Sequence, residues 1–193
     1  VTPDLAAFGK AMGNGMPISA VVGRGDVMRE MEEVFFSSTF GGETLSIAAA
    51  IAVVDKLRRE PVIDHLWSLG TGLADGIRTR IERHGLGNCL GVMGKPPWTI
   101  MSFADHPHAS AAAVKTLYMV EMLRRGVLTA GSHNLCYAHD SVDCDRVLQA
   151  YDETLSVIAS ELATGHLTER LPVTPLQPVF QVRGTTGQGQ YNS

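Results

Sequence analysis

The stretch from Asp4 to Gly25 constrains this chain more than any other. It reads Asp4-Leu5-Ala6-Ala7-Phe8-Gly9-Lys10-Ala11-Met12-Gly13-Asn14-Gly15-Met16-Pro17-Ile18-Ser19-Ala20-Val21-Val22-Gly23-Arg24-Gly25, a single lysine between two apolar runs. Gly13, Asn14 and Gly15 tolerate backbone angles that most residues avoid, so a tight turn is expected there. The runs from Leu5 to Phe8 and from Ile18 to Val22 read as buried strands, which puts Lys10 where the first strand ends. Two readings of Lys10 stand side by side. Its stem covers apolar surface while its ammonium reaches water, or its amine is a nucleophile that forms a Schiff base with a carbonyl. The second reading needs help from the site, because with a reference pKa near 10.4 only about one free lysine in a few thousand is deprotonated at neutral pH.

The 193 residues suffice for one good core, or for a core plus a small appendage. A formal net charge of −4 with scattered Lys and Arg leaves no basic surface for nucleic acid. No apolar run has the length of a membrane span, and no signal-peptide pattern opens the chain. Cys89, Cys136 and Cys144 are odd in number and form no C-x-x-C pair, which reads as reduced thiols in a cytoplasmic protein.

Beyond Gly25, a charged helical turn is expected over Asp26 to Glu33, then Val34-Phe35-Phe36 as a short strand or interface segment. Ser37-Ser38-Thr39-Phe40-Gly41-Gly42-Glu43-Thr44 leads into a helix from Leu45 to Arg59. Small and hydroxyl residues before a helix make either an anion site or a plain cap by Thr44 or Ser46. The helix is apolar on nearly every face and is expected to be buried on several sides. After Pro61, the stripe Leu66, Leu69, Leu73, Ile77 and Ile81 predicts an amphipathic helix capped by Gly85, weakened by Gly70, Gly72 and Gly76. Leu90 to Met93 and Trp98 to Phe103 read as strands, Ala111 to Arg125 as a helix, and Val127 to Thr129 as the start of a strand. A last helix is expected from Val142 to Leu162, with Ser141 as its cap.

Pro3-Asp4-Leu5, Phe8-Gly9-Lys10, Gly13-Asn14-Gly15, Pro17, Ala20 and Gly23, in this order, resemble the cofactor-lysine region of class III pyridoxal-phosphate aminotransferases, especially the branch similar to glutamate-1-semialdehyde aminomutase. The resemblance implies that Lys10 carries pyridoxal 5'-phosphate as an internal aldimine and moves a proton between substrate and cofactor. Thr39-Phe40-Gly41-Gly42 is similar to the family's Thr-aromatic-x-Gly motif, which implies that Thr39 binds the cofactor phosphate of the neighbouring subunit in a homodimer with shared active sites. Glu43-Thr44 departs from the family, where a polar or histidine residue followed by proline is common. The segment Tyr137-Ala138-His139-Asp140 resembles the part of the small domain that precedes the last long helix.

The implied fold is α/β, the C-terminal part of a fold type I large domain followed by a small α+β domain. The implied division is 1–84 for the end of the cofactor-binding large domain, 85–182 for the small domain, and 183–193 for a disordered tail, with 172–182 as an extended strap. The chain reads as a C-terminal fragment, since the family's phosphate loop, stacking aromatic ring and pyridine-pairing carboxylate belong to a preceding half. The implied substrates are a small-molecule amino donor and a carbonyl acceptor. An aminomutase, or a truncated dimerisation or interaction module without catalysis, are the alternatives. His106-Pro107-His108 reads as a loop rather than a metal site, and His139 as a cap or packing residue rather than a base. Ser19 and Ser38 lack a nucleophile-elbow pattern, and no nucleotide-binding glycine motif is present.

Overall fold

A computed structural model describes residues 2–35 and 37–176. It forms two compact units that divide between Asp64 and His65. The expected strap beyond residue 176 and the expected tail lie outside the described residues.

The first unit opens with an antiparallel hairpin of β1 (Leu5–Phe8) and β2 (Ala20–Gly23), in which Leu5 pairs with Gly23 and Phe8 with Ala20. Arg24 joins Asp4 at 2.8 Å and also bonds Asp26, fastening the open end of the hairpin. These are exposed ion pairs and contribute little stability. Gly23 has a steric reason to be glycine: a Cβ there would lie 2.2 Å from the Asp4 carbonyl oxygen. A short helix α1 (Gly25–Met28) and a 3-10 turn (Arg29–Glu32) follow, as the charged stretch predicts. Val34 and Phe35 adopt no regular element. Helix α2 (Thr44–Arg59) closes the unit.

Burial in this unit differs from expectation. Among its described residues only Gly13, Ser46, Ala50 and Val62 are buried. The strands expected to be buried are largely exposed, with Phe8 at 54% and Val21 and Val22 at 49%. Helix α2, expected to be covered on several sides, hides only Ser46 and Ala50 and exposes Leu45, Ile47, Ile51 and Leu57. The physical reason is that no second layer lies over these faces among the described residues, although the amino acids are those of an interior.

Helix α3 (Val62–Arg83) runs as one element from the end of the first unit into the second. Its Leu73, Ile77 and Ile81 enter the main core. Gly85, at φ +70°, ends the helix as expected, with the Leu86 N–H donating to Ile81 O. Strands β3 (Leu90–Lys95), β4 (Trp98–Phe103) and β5 (Ser132–Asn134) form an antiparallel sheet in that order, with β3 and β4 joined through Pro96 and Pro97. The third strand thus begins after Gly131, whereas Val127 to Thr129 stay in the preceding loop.

Helices α4 (Ala111–Arg124) and α5 (Ser141–Thr164) cover the sheet face that carries Thr99, Met101 and Phe103. Ser110 caps α4 through its hydroxyl. The cap of α5 is Asp140 rather than Ser141, because Asp140 and Asp143 exchange side-chain and backbone hydrogen bonds in a reciprocal capping box. The core is almost wholly in this second unit, where Tyr118, Tyr151, Ile77, Leu155 and Ile158 are sealed from solvent.

Candidate functional site

Lys10 starts a three-residue 3-10 turn directly after β1, with Gly9 extended before it. The Lys10 carbonyl accepts from the N–H groups of Gly13 (3.3 Å) and Asn14 (3.1 Å), so the turn wraps around the lysine's own backbone. Lys10 itself has φ +48°, and only Asn14 shares a positive φ among the described non-glycine residues. A long side chain in the left-handed region costs roughly 1 kcal/mol or more, and such strain concentrates where geometry serves chemistry. Gly13 permits the close return of the chain, since a Cβ there would meet Ile18 Cγ2 at 2.5 Å and Met16 O at 2.6 Å. The Lys10 side chain is exposed and has no hydrogen-bond or ion-pair partner among the described residues.

Thr39 sits in a loop of two successive turns, in which the Gly41 N–H donates to Ser38 O (3.1 Å) and the Glu43 N–H to Phe40 O (3.3 Å). It lines a cleft of about 570 Å³ with Ile18, Ser19, Phe40, Glu43 and Ser46, and a smaller hollow of about 280 Å³ with Ser37, Ser38, Gly41 and Gly42. The Thr39 hydroxyl has no partner among the described residues. Lys10 does not line either space, so the two predicted residues share a unit but not a cavity.

The helix that follows this loop is capped by neither Thr44 nor Ser46. Glu43 is the cap: its carboxylate accepts from the N–H groups of Leu45 (2.8 Å) and Ser46 (2.7 Å) and from the Ser46 hydroxyl. Those bonds, the hydroxyl first, hold its carboxyl below the usual carboxylate range. Spacing gives no signal for this arrangement, since the usual capping box has the hydroxyl residue first and the acidic residue three positions later.

A second feature unseen in the sequence is a buried polar chain in the second unit. Thr99 Oγ1 meets His133 Nδ1 at 2.9 Å, His133 Nε2 meets the Tyr151 hydroxyl at 2.7 Å, and Tyr151 bonds Tyr118. Burial pushes His133 down to about 4, so the imidazole is neutral at ordinary pH. The remaining histidines have structural partners. His139 Nδ1 accepts from the Cys136 N–H, and its carbonyl meets His65 Nε2. His108 Nδ1 bonds Leu162 O at 2.7 Å, and no metal-holding cluster occurs among the described residues. Burial raises the Cys89 thiol, and burial with Asp143, Asp145 and Asp140 raises Cys144, so neither is an activated nucleophile.

The family model for aminotransferase class-III matches residues 1–141. The chain belongs to the class-III aminotransferases. Similar members of this family include the 3-aminobutyryl-CoA aminotransferase of Cloacimonas acidaminovorans (strain Evry), 30% identical over 165 residues that make up 84% of this chain and 39% of that protein. The glutamate-1-semialdehyde 2,1-aminomutase of Sorangium cellulosum (strain So ce56) is 31% identical over 168 residues, 80% of this chain and 38% of that enzyme. The FumI protein of Sphingopyxis sp. MTA144, solved in its PLP internal aldimine form, superposes with a TM-score of 0.74 at 28% identity, covering 85% of this chain and 39% of that one. This class-III chain thus spans about 39% of the length of such relatives.

Proposed function

We propose that this class-III chain carries the cofactor-lysine part of a pyridoxal-phosphate-dependent enzyme that transfers an amino group from a small-molecule donor to a carbonyl acceptor. The observation that carries the reading is Lys10: a solitary, unpaired amine on a left-handed backbone at the end of β1, within the region matched by the family. The residues present fit the cofactor. A primary amine free of ion pairs can condense with the cofactor's carbonyl, and the cleft that Thr39 lines offers room and a hydroxyl for a phosphate. When bound, pyridoxal phosphate supplies the electron sink that makes an α-proton removable.

Lys10 then has two tasks. It anchors the cofactor covalently at rest, and once freed as an amine it moves a proton between the substrate's α-carbon and the cofactor's carbonyl carbon. Thr39 holds the phosphate of the neighbouring subunit's cofactor, which the separation of Lys10 from the Thr39 cleft supports. On this reading the protein is a homodimer of the fold type I class. Residues 1–84 are then the end of the large domain and residues 85–182 the small C-terminal domain. Free cysteines suit a cytoplasmic setting.

An aminomutase is the second reading, favoured by the similarity to the Sorangium enzyme. Product analysis of the complete protein distinguishes the two: amino-group appearance on an added keto acid supports transfer, and rearrangement without an acceptor supports migration. Lys10→Ala should abolish either reaction, and retained turnover in that variant would remove Lys10 from the account.

A further inference from the structure

The N-terminus of α2 already holds an anion that the chain itself provides. Glu43 folds over the first turn and satisfies the N–H groups of Leu45 and Ser46, while the Ser46 hydroxyl donates to the same carboxylate. Ser46 is 1% exposed, so packing fixes that donor in place. Glu43 also lines the cleft that contains Thr39, Ser38 and Ser19. No Lys, Arg or His is among the described residues lining this cleft, so nothing in its wall offsets the charge.

A helix start with free N–H groups attracts phosphate through those groups and through the helix dipole. Here both are answered internally. We propose that Glu43 is a fixed like charge in the Thr39 cleft, which denies a phosphate monoester the N-terminus of α2 and weakens the hold of this wall on the phosphorylated cofactor. The inference rests on the assignment of Thr39 to the phosphate. A phosphate there relies on the Thr39 hydroxyl, because the Gly41 N–H is already given to Ser38 O, and it meets a neighbouring carboxylate. Such a wall favours release and exchange of the phosphorylated ligand over tight retention.

The test is a titration of the complete protein, freed of cofactor, with inorganic phosphate, followed by ³¹P NMR, and with pyridoxal phosphate, followed by absorbance. Wild type, Glu43→Gln, Glu43→Ala and Thr39→Val are compared at low ionic strength, with thermal denaturation as the check on folding. Glu43→Gln keeps an acceptor and removes the charge, and it should tighten phosphate binding about fivefold, with the gain shrinking in high salt. Glu43→Ala also frees two N–H groups and should bind at least as tightly as Glu43→Gln, while Thr39→Val should weaken binding. Where Gln fails to fold, Glu43→Ser supplies a neutral residue suited to the cap. Unchanged or weaker binding in folded Glu43→Gln, with Thr39→Val still weakening it, overturns the role of Glu43 and leaves Thr39 in place. Binding unaffected by Thr39→Val, or absent from wild type and the Glu43 variants alike, overturns the Thr39 assignment and this inference with it.

Discussion

A lysine held at φ +48° and a histidine sealed inside a hydroxyl chain show two ways in which single residues carry cost in this protein. For His133 the cost is measurable through pH. Its folded value is near 4 against an ordinary 6.5, so on acidification the unfolded chain takes up the proton first and gains stability relative to the fold. Stability that is complete above pH 6.5 should fall progressively towards pH 4, by about 3 kcal/mol for the whole interval. Urea denaturation at stepped pH checks this, and Tyr151→Phe, which removes the Nε2 partner, should cost about 1–2 kcal/mol at neutral pH. At this scale the sequence was unevenly legible. Lys10 and Thr39 stand out because the motifs around them resemble those of the class-III family. Glu43 and His133 do not, because a cap and a buried imidazole are defined by which atoms lie nearby, and spacing carries no such information.

Among the elements, α3 offers the sharpest contrast, because its three interior glycines look alike in sequence and differ in space. Gly70 lies against the β3–β4 turn, where a Cβ would come within 2.0 Å of Pro96 O; Gly76 admits Leu148 of α5; Gly72 faces open space. Gly70→Ala should therefore destabilise by about 2 kcal/mol or more, since backbone must move to accept it. Gly72→Ala should stabilise by about 0.5–1 kcal/mol through helix propensity and reduced unfolded-state freedom. Thermal melts of the two variants test both signs. Asp140→Ala, which removes the reciprocal cap of α5, should cost about 1 kcal/mol. The long helices and the β3–β4 hairpin follow directly from periodicity and turn residues. The displaced third strand and the two reassigned caps do not, because Gly131 at φ +93° and the paired aspartates act through local geometry within a stretch of mixed polarity.

For the whole molecule, the uneven distribution of core governs behaviour. The second unit contains nearly all of the buried apolar cluster, while the first exposes strand and helix faces built from Leu, Ile, Val and Phe. The composition of these faces is that of an interior, which is why the sequence predicted burial; cover is a property of neighbours and cannot be read from the segment alone. Hydrogen exchange on this chain should show weak protection through 2–64 and strong protection in α3, α4 and α5, whose central amides report the opening of the core. Equal protection in both units would show that the first is stabilised by something other than its described contacts. The central claim concerns Lys10 and is tested most directly by borohydride reduction of the complete protein in the presence of pyridoxal phosphate, with peptide mapping of the product. The account predicts a pyridoxyl adduct on Lys10 that disappears in Lys10→Ala; a reduced adduct confined to Lys56, Lys95 or Lys115, with Lys10 unmodified, would contradict it.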